Sequence, residues 1–184
     1  MVRGKKEKAA VLVLTAVCII LCLCVPTELL AHIGIAKDAM LWQRLAYPFF
    51  HASLAHTLIN CWCLLSIVFM YDVSAAYLII AYLIAVTYPV NTVCSFQYLI
   101  FNVQYSIPTV GLSAVCFALL GMVSFQAKRK LFFHFWILSF FALSEITARL
   151  LSAYGYDITP PNNTLHLYSY VVGLMVGFLN SPMP

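Results

Sequence analysis

The sequence predicts an all-α membrane protein that crosses the bilayer several times. Of its 184 residues, 64% are hydrophobic and only 9% are charged, whereas a soluble domain averages about 45–50% apolar and about 25% charged residues. Apolar runs recur from Ala9 to Leu179, and a cleaved signal peptide would account for one such run only. Because so few charges cannot cover a water-facing surface, we expect a single membrane domain over residues 1–184.

Six segments of the sequence are long and apolar enough to span a membrane as helices. Such a helix needs about 20 mostly apolar residues to cross about 30 Å of hydrocarbon. The predicted spans are residues 9–31, 54–71, 74–95, 109–126, 131–153 and 164–180. Only a short turn, from Tyr71 to Ser74, separates the second span from the third, so these two are predicted to be antiparallel neighbours.

The basic residues predict the orientation, because cytoplasmic flanks of membrane spans carry an excess of Lys and Arg. Two clusters precede the first span and join the fourth span to the fifth: Arg3, Lys5, Lys6, Lys8 and Lys128, Arg129, Lys130. Both are cytoplasmic if the chain begins inside and crosses six times. Both termini are then cytoplasmic. The connections predicted outside are residues 32–53, 96–108 and 154–163.

The first of these connections, residues 32–53, is predicted to lie in the membrane interface. It is about twenty residues long, is rich in aromatic residues such as Trp42 and Tyr47, and contains Pro48. Aromatic side chains are enriched where the membrane meets water. A segment of this kind suits a structure lying along the membrane surface better than a loose linker.

Charge and cysteine content exclude two classes of ligand. The net charge is +4, but the basic residues form short clusters beside apolar runs, where they indicate topology and not a nucleic-acid partner. The seven cysteines lie within or at the ends of apolar segments, where a thiol usually behaves as a small buried hydrophobe. Their spacing matches no zinc site, so no metal and no other cofactor is expected.

Polar side chains collect at the starts of the second, fourth and sixth spans. These spans would all run from outside to inside, so residues near their N-terminal ends lie at a similar depth. The side chains are His51, His56, Asn60, Ser113 and His166, with Gly111 two residues before the serine. Each alone is more often structural in a membrane helix, but together they indicate a site.

Ser113 and His166 are a candidate nucleophile and base. If the fourth span begins near Thr109, Ser113 lies about 6 Å along it at about 1.5 Å per residue, and His166 is similarly shallow. A serine hydroxyl attacks efficiently only when a base removes its proton, a task that suits histidine. His56 and Asn60 share one helix face and are candidate donors to the oxyanion of acyl transfer, with the Ser113 backbone N–H as a third.

These residues resemble the rhomboid family of intramembrane serine proteases. Residues 42–60 are similar to the family's first outer loop and second helix, including its H-x4-H-x3-N pattern. Residues 111–121 resemble the G-x-S-G segment that carries the nucleophile. Residues 166–173 resemble the sixth-helix motif H-x-x-G-x-x-x-G, which carries the base. The order of the three segments and the predicted topology agree with the family as well.

The resemblance implies a six-helix rhomboid-like bundle with both termini in the cytoplasm. It implies a Ser113–His166 dyad that has no carboxylate as a third member. This dyad would cleave a peptide bond of another transmembrane protein near the outer face. Water would enter through a cavity, because hydrocarbon excludes it. The oxyanion donors would be His56 and Asn60, and the supporting residues would be Gly111, His51 and Phe117, the last packed against the histidine ring. The implied partners are transmembrane protein substrates and the lipid bilayer, with no soluble partner.

The sequence departs from the family pattern at three places. The glycine after the nucleophile is replaced by Ala114, and the glycine three residues after the base is replaced by Ser169. A Trp-Arg dipeptide in the outer loop is replaced by Trp42 and Gln43, with Arg44 following. These changes affect the space around the nucleophile, the packing of the sixth helix and the residues that usually anchor the loop.

Two registers are open for the sixth span. Aligning Gly173 and Gly177 with the family's two glycines would put Tyr170 at the base position, which would indicate an inactive relative that binds membrane helices for quality control or trafficking. We favour the register with His166 as base, because a tyrosine with a pKa of about 10 is a poor base at neutral pH. A transporter or channel is a third hypothesis, but the spans offer few buried charges and no matching broken helices.

The predicted location is a membrane, crossed several times, with the site opening on the extracytoplasmic side. Without a large extramembrane domain or targeting segment, the sequence favours a minimal bacterial-type enzyme in the inner membrane. Asn162, Asn163 and Thr164 match an N-glycosylation sequon on the predicted outer side. A three-residue pattern is too common to identify the source.

Overall fold

The computed structural model describes residues 4–101, 108–155 and 162–180. These residues are mostly helical, which confirms the predicted all-α class. In chain order the helices are α1 (Lys5–Cys24), α2 (Leu30–Ile33), α3 (Leu41–Ala46), α4 (Leu54–Met70), α5 (Ala75–Val86), α6 (Val90–Phe101), α7 (Ser113–Val123), α8 (Lys130–Ala153) and α9 (Asn163–Asn180). Short 3₁₀ turns cover Thr27–Leu29, Tyr47–Phe49 and Ser124–Gln126. Arg3, residues 102–107 of the predicted connection 96–108 and residues 156–161 of the predicted connection 154–163 lie outside the described residues.

Two prolines make the helices differ from the predicted spans. The first predicted span covers residues 9–31, but α1 stops short of its end because Val25 precedes Pro26 and takes φ −94° and ψ 122°. The residue before a proline is disfavoured in the helical region. The third predicted span, residues 74–95, is divided at Pro89 into α5 and α6, which are bent by 45°.

Side-chain caps determine where α4 and α9 begin. The Ser53 hydroxyl accepts a hydrogen bond of 3.2 Å from the backbone N–H of His56. Asn162 accepts one of 3.1 Å from the backbone N–H of Leu165, and its amide donates to the Thr109 hydroxyl at 2.9 Å. Such caps satisfy N–H groups that the first turn of a helix leaves free. Asn162 therefore starts α9 and also links it to the segment before α7.

Helix α7 lies at the centre of the molecule, and α9 packs directly against it. Nine of its eleven residues are buried, and glycines line its contact with α9. A Cβ at Gly177 would lie 2.6 Å from the carbonyl oxygen of Met122, and a Cβ at Gly121 or Gly173 would collide with the backbone of the other helix. Small residues let membrane helices approach closely. This contact sets the distance between the helices that carry the candidate nucleophile and base.

The connection between α1 and α4 folds onto the end of the bundle where α7 begins. Tyr47 is fully buried, and its hydroxyl donates to a backbone carbonyl of α5 at 3.0 Å. Nη1 of Arg44 donates to the carbonyl oxygen of Tyr88 at 2.8 Å. Arg44 therefore anchors the connection to the turn between α5 and α6, although Gln43 occupies the position next to Trp42.

Several helices have the length and composition of membrane spans. Among the described residues, Lys5–Cys24 and Lys130–Leu151 are each long and apolar enough to span a membrane without another helix. Two bent pairs are long and apolar enough when each pair is taken together: Leu41–Phe49 with Leu54–Met70, bent by 84°, and Ala75–Val86 with Val90–Phe96. Ser113–Gln126 is a shorter apolar helix. Apolar helices of this kind support an integral membrane protein, while the count of six spans and the orientation stay predictions.

Candidate active site

Ser113 is the first residue of α7, and Gly111 turns the chain into that helix. Gly111 has φ +122°, a conformation that glycine adopts without the steric cost of a Cβ. The turn leaves the half-buried Ser113 side chain at the N-terminal end of α7. Backbone N–H groups in the first turn have no partner within the helix, and the positive end of the helix dipole lies there too. A negative charge developing beside Ser113 is therefore stabilised.

The imidazole of His166 lies against the Ser113 hydroxyl. The distance from Nε2 to Oγ is 2.8 Å, so the hydroxyl donates a hydrogen bond when Nε2 carries no proton. His166 is only 7% exposed. Its Nδ1 has no hydrogen-bond partner among the described residues, so no carboxylate in that part of the chain orients the ring.

Aromatic rings hold the imidazole in place instead. The ring of Phe117, one turn after Ser113 on α7, lies with its centroid 4.7 Å from that of His166, at an interplanar angle of 31°. The ring of Phe141 on α8 stacks on that of Phe117, with their centroids 4.9 Å apart. The imidazole is therefore oriented by packing between α7, α8 and α9.

His56 and Asn60 converge on the backbone of Gly111. A Cβ built at Gly111 would lie 3.1 Å from Nε2 of His56 and 3.2 Å from Nδ2 of Asn60. Asn60 is buried, and its Nδ2 has no hydrogen-bond partner among the described residues. The two side chains thus direct nitrogen atoms towards the turn that leads into Ser113, and the missing Cβ provides the space for them.

His51 supports this turn from behind. Its Nε2 accepts a hydrogen bond of 3.2 Å from the backbone N–H of Leu112, and its ring meets that of His56 edge-on at 5.2 Å. His51 lies ahead of α4, outside the spans. Burial, with a smaller contribution from His56, lowers the pKa of His51 from 6.5 to about 4. The ring is therefore neutral at neutral pH, as an acceptor must be.

Tyr170 lies away from Ser113. Its hydroxyl forms a hydrogen bond with Nδ1 of His134 on α8, and its ring packs near Phe141. In the folded chain the side chain of α9 that meets Ser113 is the imidazole of His166, not the phenol of Tyr170.

Three contributors to the site were not predicted. They are the Leu112 N–H that binds His51, the Phe141 ring and the Asn162 cap. Asn162 carries a signal in the sequence, since Asn just before an apolar run is a typical helix start, although the same residue also opens an N-glycosylation sequon. The other two depend on how distant segments pack.

Comparisons with known proteins add one finding to this geometry. Residues 38–183 match the family model described as the Rhomboid domain, a range that includes every residue of the site. A search of curated proteins finds no match for the chain. Within the described ranges, no three His, Cys, Asp or Glu side chains are grouped so that they could hold a metal ion.

Proposed function

The chain belongs to the rhomboid family, and on that premise we propose that it is an intramembrane serine protease. It hydrolyses a peptide bond in or near a transmembrane segment of another membrane protein. The observation that carries the proposal is the 2.8 Å contact between Ser113 Oγ and His166 Nε2, which pairs a nucleophile with a base. Members of this family act on membrane-protein substrates within the bilayer, so the substrate class follows from membership.

The dyad performs the reaction in two steps. In the first, Ser113 Oγ bonds to the carbonyl carbon of the substrate while His166 takes the hydroxyl proton, and the tetrahedral intermediate expels the amine, which receives that proton. In the second, a water molecule attacks the acyl-enzyme while His166 accepts a proton from that water. Collapse of this intermediate releases the carboxylic acid and returns the proton to Ser113.

Three donors stabilise the oxyanion that forms in each step. They are the side chains of His56 and Asn60 and the backbone N–H of Ser113. The buried Asn60 Nδ2, which has no partner among the described residues, supports this role because a buried donor without a partner is costly unless a ligand uses it. Removing one donor of this kind typically costs about 10²–10³-fold in kcat.

The proposed setting is a bundle of six spans with both termini in the cytoplasm. The site then opens on the extracytoplasmic side, from which water reaches Ser113 through a cavity. A bacterial inner membrane is the proposed location. The two basic clusters support this arrangement, because four predicted spans lie between residues 3–8 and residues 128–130 and so put both clusters on the same side.

Proteolysis of a model transmembrane substrate by the purified protein in liposomes tests the proposal. Ser113→Ala and His166→Ala are each expected to abolish cleavage, because the first removes the nucleophile and the second removes its base. Retention of the thermal transition in detergent would show that both variants fold. Cleavage that continues at the parent rate after Ser113→Ala would contradict the proposal.

An inactive relative that binds membrane helices is the second candidate, and Ala114 and Ser169 favour it because both depart from the family pattern. Labelling by a serine-directed fluorophosphonate separates the two. We expect label on the parent protein, none after Ser113→Ala or His166→Ala, and undiminished label after Tyr170→Phe. A parent protein that takes no label would favour the inactive relative.

A further inference from the structure

A cleft opens at the end of the molecule where α7 ends, away from Ser113. Its volume is about 1300 Å³. The beginning of α1, the end of α4, the turn before α5 and the beginning of α8 form its walls. None of the proposed catalytic steps uses this cleft, which is large enough to receive a ligand.

The charged groups lining the cleft are three cations and two carboxylates: Lys8, Lys128, Arg129, Glu7 and Asp72. Lys5, Lys6 and Lys130 adjoin them in the chain and are exposed. Among the described residues, no salt bridge joins Lys8, Lys128 or Arg129 to an acidic side chain. Ammonium and guanidinium groups are the side chains that bind phosphate most strongly, so the cleft favours an anion.

Aromatic side chains extend the cleft towards the lipid-facing surface of α8. Phe132 and Trp136 line it and are 55% and 56% exposed. On the opposite wall the ammonium of Lys8 lies 5.0 Å from the ring centroid of Phe69, a contact that positions the cation without neutralising its charge. The lining therefore changes from cationic to aromatic, as the two ends of a phospholipid require.

We infer that this cleft binds one anionic diacyl phospholipid. The phosphate lies against Lys8, Lys128 and Arg129, and the acyl chains run along Phe132 and Trp136. Basic pockets between membrane helices are suited to anionic head groups. A zwitterionic lipid fits less well because its own ammonium group meets a lining in which three cations outnumber two carboxylates. This binding requires no proteolytic activity, so it does not depend on the proposed function.

Native mass spectrometry of the purified full chain in detergent tests the inference. The probes are phosphatidylglycerol and phosphatidylcholine with identical acyl chains, together with inorganic phosphate. We expect one phosphatidylglycerol to bind at about tenfold lower concentration than phosphatidylcholine. Lys128→Gln combined with Arg129→Gln is expected to weaken that binding by about tenfold or more, because two cations that face the phosphate are lost.

The matched control is Lys5→Gln combined with Lys6→Gln, which removes the same charge from the same end but from side chains that do not line the cleft. We expect a change of less than about threefold in this control. Equal losses in the two double variants would show diffuse surface attraction and overturn the inference, as would equal binding of the two lipids. Full displacement of the lipid by an equal concentration of inorganic phosphate would also overturn it, since that result describes a free-anion site.

Each variant is compared with the parent only after its thermal transition has been shown to match that of the parent. Should the Lys128 and Arg129 double variant not fold, Lys8→Gln takes its place with Lys6→Gln as its match. Loss of phosphatidylglycerol binding in Lys8→Gln but not in Lys6→Gln supports the inference, and equal binding in both overturns it.

Discussion

Gly111 shows how a single residue controls the chemistry proposed for this site. Its φ of +122° and its missing Cβ serve different purposes: the first directs the chain into α7, and the second leaves room for His56 and Asn60. A side chain here would disturb the candidate nucleophile and the candidate oxyanion donors together. The glycine is therefore expected to be part of the proposed catalytic geometry although it supplies no reacting group.

Gly111→Ala is expected to lower kcat by about 10²-fold, the scale of one lost oxyanion donor, because the added methyl group displaces His56 or Asn60. Initial cleavage rates on a transmembrane substrate measure the effect. The control is Gly155→Ala, since Gly155 has φ +83° and nothing within 4 Å of a built Cβ. A similar rate loss in both variants would attribute the effect to backbone strain and contradict the prediction.

His51 makes stability depend on pH. Its pKa is lowered from 6.5 to about 4, so the unfolded chain takes up this proton first as the pH falls. The stabilisation by neutral His51 is therefore complete above about pH 6.5 and is lost between there and about pH 4. Relative to His51→Gln, the parent should lose about 3 kcal/mol of stability over that window. Thermal unfolding in detergent measures it, and a constant difference at every pH would contradict the assignment.

At the scale of elements, the contact between α7 and α9 decides whether Ser113 and His166 meet. Glycines bring the two backbones together, and Asn162 sets where α9 begins. Arg44 and Tyr47 attach the connection before α4 to helix α5 and to the turn that follows it. The connection before α4, helix α7 and helix α9 are distant in sequence. Small residues and hydrogen bonds to backbone carbonyls thus bring them together around Ser113.

Gly173→Ala is expected to lower both the thermal transition and the cleavage rate. Its methyl group would collide with the backbone of Ala118, and overpacking of this kind costs about 1–3 kcal/mol. Moving His166 by about 1 Å is enough to cost about 10²-fold in rate. Val171→Ala, at a 39% exposed position of the same helix, is the control and should retain both. Full activity of Gly173→Ala would show that the helices can separate without harm.

At the scale of the whole molecule, the two ends of the bundle differ in character. One end holds Ser113, His166 and the connection before α4, while the other holds the basic cleft with Lys8, Lys128 and Arg129. The excess of Lys and Arg at the second end predicts that it faces the cytoplasm. The proposed protease site and the proposed lipid site are therefore expected on opposite sides of the bilayer.

Epitope insertion tests this orientation. An epitope placed after Lys37 should be reached by antibody in intact spheroplasts, and one placed after Lys128 should be reached only after permeabilisation. An odd number of predicted spans, at residues 54–71, 74–95 and 109–126, separates the two positions. Detection of both epitopes from one side would show that the predicted span count between them is wrong.

Much of the fold and the residues of the candidate site were predictable from local properties of the sequence. Composition and apolar runs predicted helices in a membrane, and short motifs identified Ser113, His166, His56 and Asn60 as candidates. The end of α1 at Cys24 and the break at Pro89 were missed because apolar residues resume soon after each proline. Apolarity is a property of side chains, whereas these helix ends depend on the backbone that a proline permits.

The sequence by itself determined the membrane environment, the helical class and the family, because composition and motif order do not depend on how segments pack. Only the tertiary structure decided which residue of α9 meets Ser113. Two registers were compatible with the spacing of the glycines, and the close contact of α7 with α9 puts His166 at 2.8 Å from Ser113 and turns Tyr170 towards His134. A distance between helices far apart in the chain depends on every contact between them, and no short motif encodes it.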